Sequence, residues 1–110
     1  MNKKIYKINL EKDRSVIGLL AEICWGFRVH DFEKKIGVKY EIAEALLERL
    51  LREEKAGIIE TQLTDFEVEI IKNALVEVEK EIEEWEFQTR FGVDLKDVKE
   101  ISIFKKTSKN

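Results

Sequence analysis

The sequence contains no proline, and it has one cysteine and five glycines in 110 residues. This shortage of helix breakers favours long helices over a fold built from loops. The single Cys24 cannot form an internal disulfide, as expected for a protein of the reducing cytoplasm. No apolar run is long enough for a signal-peptide core or a membrane span. We therefore expect a cytoplasmic protein without a membrane partner.

The charge balance also lacks an excess of either sign. Charged residues make up 39% of the chain, yet the formal net charge is only -3. Proteins that bind nucleic-acid backbones usually carry a clear basic excess, because their affinity comes from neutralising phosphates. The balance argues against a nucleic-acid partner. With 44% hydrophobic residues, residues 1–110 can form a single domain around one core.

Hydrophobic spacing predicts a mainly α fold with two or three short β-strands, of the α+β class. Apolar residues recur at helical intervals in most of the chain, whereas short β-branched runs occur at two places. The predicted strands are Lys4–Asn9 and Ile58–Leu63, and the predicted helices are Asp13–Phe27, Asp31–Ile36, Tyr40–Ala56, Thr64 to about Glu86, and a segment from Asp94. The spacing leaves residues 101–104 open between helix and strand.

The strongest local signal begins the helix at Thr64. Thr64 and Glu67 have the spacing of a capping box, and Leu63 with Val68 has that of a hydrophobic staple. The apolar period then continues through Ile82 to Trp85, which predicts that Trp85 points inward.

A shift of about 55 residues aligns the chain with itself. The segments F-E-K-K-I-G-V and F-Q-T-R-F-G-V align, with Gly37 on Gly92 in each turn. We therefore predict an internally duplicated strand-helix-helix-turn-helix unit with pseudo-twofold symmetry. Repeat 1 covers about 3–56, repeat 2 about 57–105, and 105–110 is a frayed tail. The alternative is that two helix-turn-helix segments resemble each other for packing reasons alone.

Two resemblances accompany this pattern. Residues 32–59, with Gly37 between two helices and Ala43 facing inward, resemble the helix-turn-helix of small winged-helix regulators, which implies DNA binding. Against that implication, the second helix presents Glu41, Glu44 and Glu48 at positions where contacts to bases and phosphates require basic or amide side chains. The segment E-F-Q-T-R-F-G resembles a motif of small uncharacterised bacterial proteins, which implies no function.

The second copy carries a run of carboxylates from Glu77 to Glu86 near a predicted helix C-terminus. Such charges repel each other and oppose the helix dipole, so the run suggests a surface that meets a basic partner. The alternative is an ordinary solvated helix face. The candidate partner-binding residues are Glu77, Glu81, Glu84, Trp25 and Arg28, with Gly37 and Gly92 as structural turns. Trp25 fits either the edge of the core or an interface.

No motif indicates catalysis, a cofactor or a metal. His30 is the only histidine, and neither a metal site nor a general-base relay can be assembled around it from spacing. The sequence therefore predicts a non-enzymatic cytoplasmic protein-interaction module, inhibitor- or immunity-like, that binds a basic protein or a second copy as a homodimer through an acidic helix face. The alternatives are a helix-turn-helix DNA regulator and a small enzyme of unrecognised type.

Overall fold

The structure, a computed structural model, describes residues 5–104. Within this range the chain forms a mainly helical fold with two short strands, as predicted. The elements are β1 (Ile5–Asn9), α1 (Ser15–Ala21), a π-helical turn (Glu22–Gly26), α2 (Phe32–Ile36), α3 (Tyr40–Lys55), β2 (Glu60–Thr64), α4 (Asp65–Glu81), α5 (Glu86–Phe91), α6 (Leu95–Lys99) and a 3-10 turn (Ser102–Phe104). The predicted tail, 105–110, the start of predicted repeat 1 and the last residue of predicted repeat 2 lie outside the described residues.

The two strands pair antiparallel, with Lys7 opposite Gln62 at the centre of the ladder. Ile8 and Leu63 point into the protein, while Lys7 and Gln62 lie on the exposed face. This alternation gives the sheet one buried face, which the helices cover. The core lies between that face and the helices, and its fully buried side chains include Leu19, Leu20, Ile36, Leu47, Leu50, Ile71, Val78 and Phe87.

The capping box predicted at Thr64 is present and fixes the start of α4. The Thr64 hydroxyl accepts the Glu67 N–H at 3.1 Å, and the Glu67 carboxylate accepts the Thr64 N–H at 3.0 Å. Arg49 on α3 reinforces this corner, because its guanidinium bonds Glu67 Oε2 at 3.0 Å and the Gln62 carbonyl at 2.9 Å. The boundary between β2 and α4 is thus fixed both by the local capping box and by a tertiary contact from α3.

The predicted continuation of α4 to about Glu86 is wrong. The helix ends at Glu81, and Ile82 adopts an extended conformation (φ -118°, ψ 129°) with its side chain buried. The chain turns and begins α5, and Glu86 Oε1 accepts the Glu83 N–H at 2.9 Å. The prediction that Trp85 points inward is therefore also wrong, since its side chain is 69% exposed.

Gly37 and Gly92 end the two short helices in the same conformation. Their φ angles are 97° and 76°, in the left-handed region that favours glycine. The Gly37 N–H donates to the Glu33 carbonyl at 2.9 Å, and the Gly92 N–H donates to the Gln88 carbonyl at 3.0 Å. Each turn then leads to an extended residue before the next helix, Lys39 before α3 and Asp94 before α6.

The shift that aligns these two glycines also relates other parts of the backbone. It carries Ile5–Asn9 onto Glu60–Thr64, so β1 coincides with β2 in sequence. Asn9 falls on Thr64, and both side chains accept the backbone N–H three residues later, at 2.8 Å and 3.1 Å. Equivalent buried pairs are Ile8 and Leu63, Val16 and Ile71, Leu19 and Ala74, Leu20 and Leu75, Ile23 and Val78, Ala43 and Val98, and Leu46 and Ile101.

Two contacts cross between the first half of the described chain, residues 5–56, and the second half, residues 57–104, and we call them the crosswise packing. Asn73 on α4 donates its amide N–H to the Ile36 carbonyl at the end of α2, at 2.9 Å. At the equivalent position of the first half, Gly18 on α1 lies directly against the ring of Phe91 at the end of α5. The short helix α2 therefore contacts α4, and the end of α5 contacts α1 at Gly18.

Candidate interaction surfaces

The structure divides the predicted partner-binding residues between two surfaces. Trp25 and Arg28 lie where α1 and its π-helical turn end, whereas Glu81 is the last residue of α4 and Glu84 lies in the turn between α4 and α5. Glu77 belongs to neither, because it is only 8% exposed and its carboxylate bonds Lys80 at 3.1 Å. The exposed part of the predicted acidic helix face therefore consists of the end of α4 and the turn that follows it.

We call the first surface the Arg28 pocket. It is a cavity of about 260 Å³, open to solvent and mostly apolar. Its walls come from the end of α1, the following loop, and the facing sides of α2 and α3. The lining residues are Ile23, Cys24, Phe27, Arg28, Val29, Phe32 and Tyr40.

A hydrogen-bond network holds one side of the Arg28 pocket in place. The π-helical turn directs Trp25 outward, 53% exposed, and its indole N–H donates to Glu44 Oε2 at 2.8 Å. The Tyr40 hydroxyl lies 2.9 Å from the Cys24 carbonyl and 3.2 Å from the same Glu44 oxygen. The ring of Phe32 meets that of Tyr40 edge to face at 5.4 Å. The Glu44 carboxylate therefore already has donors and is not a free charge at this pocket.

Burial raises the pKa of the Cys24 thiol to about 11, and the charge of Glu44 contributes a smaller increase. Burial also raises the pKa of Tyr40, followed by its hydrogen bond to Glu44. Both groups thus remain protonated at neutral pH. A nucleophilic cysteine needs a lowered pKa, so this environment favours a structural thiol rather than a reactive one.

We call the second surface the Trp85 turn, residues 81–86. Trp85 stands at its outer side, and Glu83, Glu84, Trp85, Asp94, Leu95 and Lys96 line a shallow depression of about 600 Å³ beside it. Among residues 5–104, no salt bridge joins Glu81, Glu83 or Glu84 to a cation. A large aromatic side chain is thus exposed among carboxylates that form no salt bridge within this range, with Lys96 beside them.

The negative charge of the Trp85 turn also affects the pKa of a neighbouring lysine. Lys99 on α6 bonds Glu79 at 2.8 Å, and its pKa is raised first by that bond and also by the charge of Glu84. The raised pKa indicates a negative potential on this side of the molecule, which favours a positively charged group over a neutral one.

The shift of 55 residues in the sequence also relates the Arg28 pocket to the Trp85 turn. The shift that carries Gly37 onto Gly92 carries Arg28 onto Glu83 and His30 onto Trp85. The two loops therefore join equivalent helices but differ in charge. The acidity of one copy is visible in the sequence, but the apolar pocket of the other is not, because its walls come from three separate elements.

A third surface has no counterpart among the sequence predictions. Ile42 on α3 and Phe66 at the start of α4 are 45% and 56% exposed, and they line a groove of about 270 Å³ with Arg49 and Ile70. Both apolar residues are visible in the sequence, but only the packing of α3 against α4 brings their side chains together.

The rival functions find less support in the geometry. In the helix-turn-helix formed by α2, Gly37 and α3, Glu41 and Glu48 are exposed on the second helix, where they would repel phosphate. The described part of the chain contains no group of three His, Cys, Asp or Glu side chains arranged to hold a metal ion. His30 is exposed and lines none of the cavities described above.

Comparison with protein-family models, with curated proteins and with solved structures finds no match to this chain. Among the described residues, none of the helices is both long and apolar enough to cross a membrane.

Proposed function

We propose that this protein is a non-enzymatic interaction module of the cytoplasm, inhibitor- or immunity-like, that binds a basic protein surface through the Trp85 turn. The observation that carries the proposal is the 69% exposure of Trp85 among carboxylates without salt bridges. Trp is among the residue types that most often contribute strongly to interfaces, because it buries a large apolar area when a partner covers it. The surrounding carboxylates would steer a basic partner and fix its orientation.

We further propose that the fold arose by duplication of one strand-helix-helix-turn-helix unit, which gives it pseudo-twofold symmetry. The proposal is supported by the left-handed glycines at equivalent positions and by the coincidence of β1 with β2 under the same shift. A twofold rotation about the centre of the Lys7–Gln62 pair would exchange the two strands of the sheet. In this view the acidic turn is a feature that one copy acquired on a shared framework.

The test is affinity capture from extract of the source cells with two matched double variants. Glu83→Gln with Glu84→Gln removes charge from the Trp85 turn, and Glu41→Gln with Glu48→Gln removes the same charge from α3. All four carboxylates are exposed, so both variants should fold. We expect the first variant and Trp85→Ala to lose the captured partner, and the α3 variant to keep it.

Salt and DNA provide the discriminating controls. Binding through the Trp85 turn should weaken as ionic strength rises from about 0.05 M to about 0.5 M, because exposed charges are then screened. Capture that is unchanged in the Trp85 variants would contradict the proposal. Retention of DNA fragments that depends on α3, and not on the Trp85 turn, would favour the helix-turn-helix alternative instead.

A further inference from the structure

We infer that the Arg28 pocket receives the Trp85 turn of a second copy of this chain. This inference rests on the proposed function, since it names the basic partner of the turn. It is carried by three properties of the two surfaces, namely size, charge and the absence of an internal contact between them.

The size of the Arg28 pocket suits an aromatic side chain. A closed apolar cavity of about 150 Å³ is enough to bind benzene. The pocket measures about 260 Å³ and its walls include Ile23, Phe27 and Phe32, so it has room for the larger indole ring. An aromatic ring that enters it would meet the edges and faces of other rings, a favourable arrangement.

The charges of the two surfaces are complementary. The segment 27–39 carries four basic side chains against Asp31 and Glu33. The equivalent segment 82–94 carries Glu83, Glu84, Glu86 and Asp94 against Arg90 alone. With Trp85 in the pocket, Glu83 and Glu84 would face Arg28 and the lysines of α2, which are Lys34 and Lys35.

Within one molecule the two surfaces do not meet. None of the residues that line the Arg28 pocket comes from the Trp85 turn, and Trp85 remains 69% exposed. Contact between them therefore requires a second molecule. Each molecule offers both a pocket and a turn, so two molecules can make the contact reciprocally in a twofold dimer, or the contact can repeat from one molecule to the next.

The experiment mixes two variants that each lack one surface. Arg28→Glu disables the pocket by charge reversal, and Trp85→Ala disables the turn by removing its anchor. Both side chains are exposed, so we expect native circular dichroism and unchanged thermal midpoints. The matched controls are Lys7→Glu, the same charge reversal on the exposed face of the sheet, and Ile59→Ala, the loss of another exposed large apolar side chain.

Sedimentation equilibrium measures the result. We expect the wild-type chain and both controls to associate reversibly, and each single variant to associate at least tenfold more weakly. An equimolar mixture of Arg28→Glu and Trp85→Ala should form a 1:1 dimer, since one supplies an intact turn and the other an intact pocket.

Two outcomes would overturn the inference. One is a wild-type chain that stays monomeric up to about 1 mM, and the other is a mixture that associates no better than its components. If capture from extract still depends on the Trp85 turn in either case, the proposed function stands and the partner is a different basic protein. If capture is also independent of the turn, both proposals fail.

Discussion

Gly18 lies against the ring of Phe91, and replacing it with alanine tests the crosswise packing of the two halves. A Cβ atom at position 18 would lie 2.6 Å from Phe91 Cδ1 and 2.8 Å from Cε1, so the ring would have to move. In a helix interior alanine is favoured over glycine by about 1 kcal/mol. Overpacking costs about 1 to 3 kcal/mol. The steric cost therefore outweighs the helical gain, and we expect Gly18→Ala to lower the free energy of unfolding by about 1 kcal/mol.

The same substitution in a Phe91→Ala background should have the opposite sign. Without the ring, the methyl group at position 18 meets no obstacle, and the helical preference of about 1 kcal/mol raises the free energy of unfolding. Phe91→Ala alone should be destabilising, since the ring also packs against Phe87 with centroids 5.2 Å apart. The sign reversal, and not the size of either single change, identifies the contact.

Urea unfolding of the four proteins, followed by circular dichroism, supplies the measurement. The slope of free energy against urea should be the same in all four, so that the midpoints report stability alone. If Gly18→Ala changes stability by the same amount with and without Phe91, α5 does not rest on α1 at Gly18. The crosswise packing would then be refuted at this contact.

Three further predictions concern single positions. Gly37→Val and Gly92→Val should each lower the free energy of unfolding by about 1 kcal/mol or more, because both glycines have positive φ; unchanged thermal midpoints would contradict this. Glu81→Gln should stabilise the protein by about 0.3 to 1 kcal/mol, because it removes a negative charge from the C-terminus of α4. Glu77→Gln should destabilise the protein, because it weakens the partly buried ion pair with Lys80. Urea midpoints that move in the same direction for both variants would count against these assignments. The pKa of the Cys24 thiol is about 11 in the folded protein, against an ordinary value of 9.0. The contribution of the protonated thiol to stability is therefore lost as pH rises through about 11. Alkylation of Cys24 at pH 9.0 should be about fifty times slower in the folded protein than in the urea-unfolded chain; equal rates would show an accessible thiolate.

Local signals in the sequence predicted the structure correctly where a few neighbouring residues determine the backbone conformation. The spacing of Thr64 and Glu67 predicted the start of α4, and the capping box is present there. Gly37 suits a left-handed position after a short helix, and it occupies one. In both cases the deciding interaction joins residues that are at most four positions apart.

The end of α4 could not be predicted in this way because a distant requirement determines it. The apolar period runs through Ile82 to Trp85, as it would in a continuous helix. The chain turns at Ile82 instead, which lets both Ile82 and Phe87 be buried while Trp85 is exposed. Only the shape of the core decides between the two arrangements, and a helical period contains no information about that shape.

The error at this turn explains how the candidate site changed. On a helix that continues to Glu86, Glu77 belongs to the same acidic run as Glu81 and Glu84. In the structure, Glu77 lies with Ala74 on the inner side of α4. Glu81 at the end of α4 and Glu84 in the following turn are exposed. The acidic residues were recognised correctly, but their division between two environments depends on where the helix ends.

Positions related by the shift of 55 residues match in the core and differ in charge on the surface. At buried equivalent positions, such as Leu20 and Leu75, both halves carry apolar side chains of similar size, as a shared core requires. In the loops before the short helices, Arg28 corresponds to Glu83 under the shift, and the backbones differ as well, since Asp31 has a positive φ of 52° whereas Glu86 begins α5. Packing does not require a reversal of charge on an exposed loop, and exposed substitutions change stability little. If the two halves arose by duplication, as we propose, recognition through two different surfaces accounts for that reversal more directly than stability does.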